Sequence, residues 1–160
     1  FLQTLIDRTR GRNLTLVHGD YSPKNVLVRQ HRLVLLDHEV IHFGDPAFDV
    51  GFALAHLLSK AHYLKQRRPL LLESAACFWH HYHDAVHRQP WAGELETAST
   101  HHTLGCLLAR TAGKSPLEYL DQRRREIQQE AVLALLNHPP GKMDALIEAF
   151  EEHLDDYEAD

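Results

Sequence analysis

Cysteine is nearly absent from these 160 residues: Cys77 and Cys106 stand far apart, with no paired spacing. That excludes a disulfide framework and a zinc-ribbon arrangement, and it fits a reducing compartment. No apolar run approaches the ~20 residues of a membrane span, and no cleavable secretory segment is visible. Excess positive charge is missing too. The formal net charge is -5, with acid gathered near the end at Glu148, Glu151, Glu152, Asp155, Asp156, Glu158 and Asp160. This balance gives no reason to expect a nucleic-acid or anionic-membrane partner, and the reading is a cytoplasmic protein. The acidic end reads as a solvated helix face.

What is present is 44% apolar content, enough for one cored unit. The chain begins with Phe1, which suggests a piece of a longer product. Residues Phe1 to Arg10 read as a helix closed by Gly11. Three short β-type runs follow, Leu14–Val17, Val26–Val28 and Leu33–Leu36, the last two joined by a hairpin-length polar link; Val40 to Asp45 reads as irregular. From Pro46 the pattern is helical: one helix from Pro46, one over about Leu70 to His87, one over Glu94 to Ala112, one from Ser115-Pro116 to Asn137, and one over Met143 to Tyr157. The fold class is α+β and mainly helical, a small β-hairpin patch (14–45) followed by four to five helices (46–160), treated as a single unit over 1–160.

The chemistry sits in His18-Gly19-Asp20-Tyr21-Ser22-Pro23-Lys24-Asn25, a tight loop between apolar runs, and in Asp37, which ends the next apolar run. An oriented carboxylate, an amide oxygen and a second carboxylate in that order suit phosphoryl transfer from a metal-bound nucleotide. Asp20 can align an acceptor hydroxyl. Asn25 and Asp37 offer oxygens to Mg²⁺, which keeps waters and phosphate oxygens in its shell and needs few protein ligands. Glu39, two residues past Asp37, is either a second-metal or substrate group or a surface carboxylate.

His-Gly-Asp-x4-Asn, then Leu-Leu-Asp-His-Glu, then Gly-Asp-Pro-Ala-Phe-Asp-Val-Gly together resemble the aminoglycoside phosphotransferase and choline kinase family, over about Leu16 to Leu58. The resemblance implies the C-terminal lobe of a protein-kinase-like fold, with ATP or GTP as co-substrate and Mg²⁺. It makes Asp20 the catalytic base, Asn25 and Asp37 the metal ligands, and Asp49 a brace for the backbone of the Asp20 loop, with His18 a positioning residue. Lys24 then either neutralises the transferring phosphoryl group or is a solvated loop lysine. Gly19 stands where protein kinases controlled by loop phosphorylation carry Arg, which favours a small-molecule acceptor, aminoglycoside-like or an amino alcohol. The family's Gly-rich loop and strand lysine do not occur before Leu14. They belong to an N-terminal lobe expected in cis, so this stretch alone is expected to turn over negligibly. The alternative is a non-catalytic, kinase-like binding or scaffolding domain.

An amine-bearing acceptor would call for carboxylates, and Glu73, Asp84, Glu94 and Glu96 are available. Trp79, Tyr82 and Trp91 are pocket-wall candidates whose plainer reading is core. His80, His83 and His87 share a helical face, but the surrounding Phe78, Trp79 and Tyr82 suggest a packed helix rather than a metal site. Arg123-Arg124-Arg125 reads as a solvated face interleaved with acids.

Overall fold

The computed structural model describes residues 1–158. Helix α1 (Leu2–Arg10) lays Leu5 against Gly105 of helix α4 (Leu95–Ala112), and Gly11 closes it through an N–H to the Arg8 carbonyl. Strand β1 (Thr15–Val17) then pairs antiparallel with β4 (His42–Gly44), Leu16 opposite Phe43. Between them lie the 18–25 loop and a hairpin of β2 (Val26–Arg29) and β3 (Arg32–Leu35), Val28 opposite Leu33. The 40–45 stretch is therefore not irregular throughout. Three residues containing a Gly are too few to show a strand period, and the pairing with β1 supplies what local sequence does not.

Helix α2 (Pro46–Tyr63) starts where Pro46 predicts, with Asp45 as its cap accepting from the Ala47 N–H at 3.0 Å. Buried Asp45 also pairs with Arg12 (3.1 Å), and Arg12 reaches Glu94 (2.7 Å), so the approach to β1 is bolted to the starts of α2 and α4. Helices α3 (Arg68–Val86), α5 (Gln122–Asn137) and α6 (Met143–Glu158) complete the lobe. The start of α5 lies later than Ser115-Pro116. Residues 116–121 are held as a turn by Leu117 N–H on the Arg110 carbonyl (2.9 Å) and by burial of Leu120, and Asp121 caps the helix through the Arg124 N–H (2.9 Å). Within the basic run, Arg124 folds back onto Asp121 (2.5 Å) and Arg125 donates to the Leu117 carbonyl (3.1 Å). In the acidic end Asp155 pairs with Arg68, while Asp160 lies outside the described residues.

The core runs through α2, α4 and α6, with Leu54, Leu58, Leu104, Leu107, Leu146 and Phe150 fully buried. Each such side chain contributes about 1.5–3 kcal/mol of transfer free energy. α2 and α4 touch so closely that a Cβ on Gly51 would stand 2.4 Å from the His102 Cβ. Trp79 is buried in the core and Trp91 packs on it. Phe78 and Tyr82 pack against the core as well, and Phe78 also faces Tyr21, beside a cavity of about 320 Å³ that His18 helps to line. His80 pairs with Asp144 at 3.1 Å, and among the described residues no group of three or more His, Cys, Asp or Glu gathers to hold a metal. No described helix is long and apolar enough to cross a membrane.

Candidate active site

The site begins as a loop whose backbone is held by one side chain. Asp49, in the first turn of α2, accepts the N–H groups of His18 (2.5 Å) and Gly19 (2.9 Å) on its two carboxylate oxygens. Burial pushes the Asp49 carboxyl up, while those two N–H groups pull the other way. Gly19 has φ +80, and a Cβ there would lie 2.9 Å from the Val40 carbonyl oxygen. Glycine is therefore required at this point by backbone conformation and space, independently of how the protein is controlled.

His18 is 4% exposed, and its ring links three segments. Nδ1 accepts from the Asp20 N–H (3.3 Å), so the ring proton is on Nε2, which donates to the Leu36 carbonyl (2.9 Å). Asn25, also buried, donates from Nδ2 to the Asp20 carbonyl (2.8 Å) and to the Asp20 carboxylate (2.9 Å). Its own carbonyl accepts the Leu36 N–H (2.8 Å). Leu36 is thus held on both backbone polar groups by the 18–25 loop, and Asp37 follows directly. Asp37 is exposed and has φ 62, a left-handed conformation that Asp tolerates better than most residues. Glu39 is exposed two residues on.

Burial raises the Asp20 carboxyl, but the hydrogen bonds from Lys24 and Asn25 and the charges of Lys24 and Arg110 outweigh it and hold it below the usual range. The Lys24 ammonium stands 3.1 Å from the carboxylate. Asp20 is therefore ionised at neutral pH and a strong hydrogen-bond acceptor. With both Nδ2 protons committed to Asp20, the Asn25 Oδ1 is left over as a neutral oxygen donor. A neutral amide oxygen and a carboxylate are donor types that suit Mg²⁺.

Further groups reach this site from helices that the motif does not cover. Lys24 lines a cavity of about 500 Å³ together with His56 and Lys60 of α2, Arg110 of α4, and Tyr119. The sequence did carry a signal for two of them. Asp49, Phe52, His56 and Lys60 are spaced 3, 4 and 4 apart, a stripe with polar members through an otherwise apolar helix that begins at the loop's brace. The four carboxylates considered for an amine behave differently. Glu94 is engaged by Arg8 and Arg12, Glu96 by Lys142, and Glu73 and Asp84 are exposed on α3.

No curated protein matches the chain. Residues 1–72 match the model of a phosphotransferase enzyme family, APH, a span that takes in α1, all four strands, the 18–25 loop and α2. That segment, which builds the loop and its brace, carries the similarity to the aminoglycoside phosphotransferase and choline kinase family, and the mainly helical α+β lobe is consistent with that family's kinase-like fold.

Proposed function

We propose that the protein transfers the γ-phosphoryl group of ATP or GTP to a hydroxyl of a small molecule. One observation carries this reading: an ionised Asp20 carboxylate is fixed by Asn25 Nδ2 at 2.9 Å, while the Asn25 carbonyl tethers the segment that ends in Asp37. The hydroxyl donates its hydrogen bond to Asp20, which aims the oxygen lone pair at the γ-phosphorus. The new bond joins acceptor oxygen to phosphorus, the bond to the β,γ-bridging oxygen breaks, and the nucleoside diphosphate leaves. The hydroxyl proton passes to Asp20 as its bond to oxygen weakens. A carboxylate held below its usual pKa is a weak base, so its contribution is orientation more than proton abstraction.

Asn25 Oδ1 and Asp37 would hold Mg²⁺, which supplies charge neutralisation for the phosphate oxygens when bound. Lys24 leaves Asp20 for the phosphoryl group as charge develops there. Glu39 is a reserve ligand or substrate contact. The rest of the nucleotide contacts would come from an N-terminal lobe in cis, seated over the outward apolar face of the strands, where Leu16, Val28, Leu33 and Phe43 are each at least 60% exposed.

The test is Mg²⁺-dependent transfer from γ-labelled ATP by the full-length gene product. Asp20→Asn should lower turnover by at least about a thousandfold at unchanged nucleotide affinity. Absence of transfer by that product would remove the reading and leave a kinase-like binding domain, and equal turnover in Asp20→Asn would remove Asp20 from the reacting centre.

A further inference from the structure

The cavity beside Asp20 collects cations in a chain whose net charge is negative. Lys24 comes from the loop, Lys60 from α2 and Arg110 from α4, around about 500 Å³. Lys60 Nζ lies 3.8 Å from the Tyr119 ring centroid, and Arg110 stacks on Phe52 at 5.0 Å and donates to the Ser115 carbonyl at 3.0 Å. Rings and a neutral carbonyl leave both charges uncompensated: no carboxylate pairs with Lys60 or Arg110 among the described residues. The acid in the wall, Glu118, is exposed, and Asp20, which adjoins the cavity through Lys24, is already matched by that lysine.

Two polar atoms of residues that line this wall, His56 Nε2 and Tyr119 Oη, are buried with no hydrogen-bond partner among the described residues. Buried polar groups are ordinarily satisfied, so orphans that share a cavity with unpaired cations point to a ligand. Burial, and after it the charge of Arg110, holds His56 at about 4, so the ring is neutral and available for a hydrogen bond at physiological pH. The wall suits an ammonium group poorly: three cations face one exposed carboxylate, Glu118, and an aminoglycoside carries several ammonium groups.

We propose that this cavity binds the phosphoryl acceptor, and that the acceptor is a small hydroxylated anion whose carboxylate or phosphate lies between Lys60 and Arg110 while a hydroxyl reaches Asp20. This rests on the phosphotransferase reading and replaces the amine-bearing acceptor within it. The γ-phosphate is the other anion that could use these cations, and kinetics separates the two.

Glycerol 3-phosphate and glycerate, with glycerol and kanamycin as neutral and cationic controls, are titrated calorimetrically into the 160-residue chain without nucleotide. The anions should bind saturably and the controls should not. Lys60→Gln and Arg110→Gln should each weaken the anions about tenfold, the loss of one charge-assisted contact. Melting curves confirm folding, and Arg110→Lys, which keeps the charge, should retain most of the affinity. In the full-length product the two Gln variants should raise KM for the anionic acceptor and leave KM for ATP unchanged. Anion affinity unaffected by both variants, kanamycin binding in preference to the anions, or a rise in KM for ATP alone would overturn the acceptor class. No detectable transfer by the full-length product, with anion binding retained, would instead overturn the phosphotransferase reading while leaving the anion site standing.

Discussion

His18 Nε2 donates to the carbonyl oxygen of Leu36 at 2.9 Å, and this bond ties the loop carrying Asp20 to the strand end carrying Asp37. Without it the Leu36 carbonyl loses its partner and Asp37 loses one of its two tethers. His18→Leu, close in size, should therefore cost about 1–3 kcal/mol of stability. It should also lower Mg²⁺-dependent transfer more than it lowers acceptor binding, since the displaced group is Asp37, the carboxylate proposed to hold the metal. Thermal melting and a comparison of kcat with KM check both parts.

Asp49 gives a sharper expectation, because its two oxygens satisfy two consecutive N–H groups. Asp49→Asn keeps one acceptor and turns the other into a donor facing a donor. It should cost more than Asp49→Ser, which leaves a gap that water can enter. The difference should be about 1–2 kcal/mol in denaturant unfolding. Equal losses in the two variants would show that the brace acts through charge alone.

Much of this site was legible before any coordinates. The loop from His18 to Asn25 is local, so residues five or fewer apart, such as Asp20 with Lys24 and Asn25, meet in it. The helix from Pro46 was readable because Pro46, the Asp45 cap and the apolar stripe agree. What stayed hidden was non-local. β4 exists because β1 lies beside it, and the start of α5 was masked by a turn whose bonds run to Arg110 and Arg125. Arg110 itself sits 90 residues from Asp20 on a helix that carries no motif, and only the packing of α4 against α2 brings it in.

The α2–α4 contact carries its own prediction. A Cβ on Gly51 would come within 2.4 Å of the His102 Cβ and 2.7 Å of the His102 carbonyl carbon and the Thr103 nitrogen, atoms that move only if the helices part. Ala favours a helix over Gly by about 1 kcal/mol, but overpacking against backbone costs 1–3 kcal/mol or more. Gly51→Ala should therefore lower stability by about 2 kcal/mol, and it should weaken anion binding, because Lys60 and Arg110 ride on the separated helices. A stabilised variant would mean that α2 and α4 are further apart than described.

Acid should unfold the lobe earlier than its carboxylates alone would require. His102 is buried with its Nε2 against Thr9 Oγ1 at 3.3 Å; that hydroxyl donates to the Leu5 carbonyl, so it accepts the ring N–H. Burial brings His102 down from 6.5 to about 4, with Arg8, His101 and Arg12 adding to it and Asp45 opposing. A histidine depressed in the folded state leaves the unfolded chain binding more protons below pH 6.5, so stability is full above that value and is lost as pH falls toward 4. The complete displacement corresponds to about 3 kcal/mol for His102. His102→Gln keeps an N–H for Thr9 and does not titrate. Its unfolding free energy should therefore be flatter between pH 6.5 and 4 than that of the wild type.

The hairpin turn can be improved without touching the site. Arg29 and Arg32 form the last pair, and the two residues between them, Gln30 and His31, have φ 48 and 60. This is a two-residue turn with both residues left-handed, the geometry that Asn-Gly prefers and that costs other L-residues about 1 kcal/mol or more each. Gln30→Asn with His31→Gly should relieve that strain and raise stability by about 1 kcal/mol, the flexible glycine giving back part of the gain through the unfolded chain. Because β3 leads into Leu36 and Asp37, a firmer hairpin should also slow amide exchange at the Leu36 N–H, which bonds to the Asn25 carbonyl. Hydrogen exchange at that amide reads the coupling directly. Unchanged protection alongside a raised melting temperature would show that the hairpin and the Asp20 loop open independently.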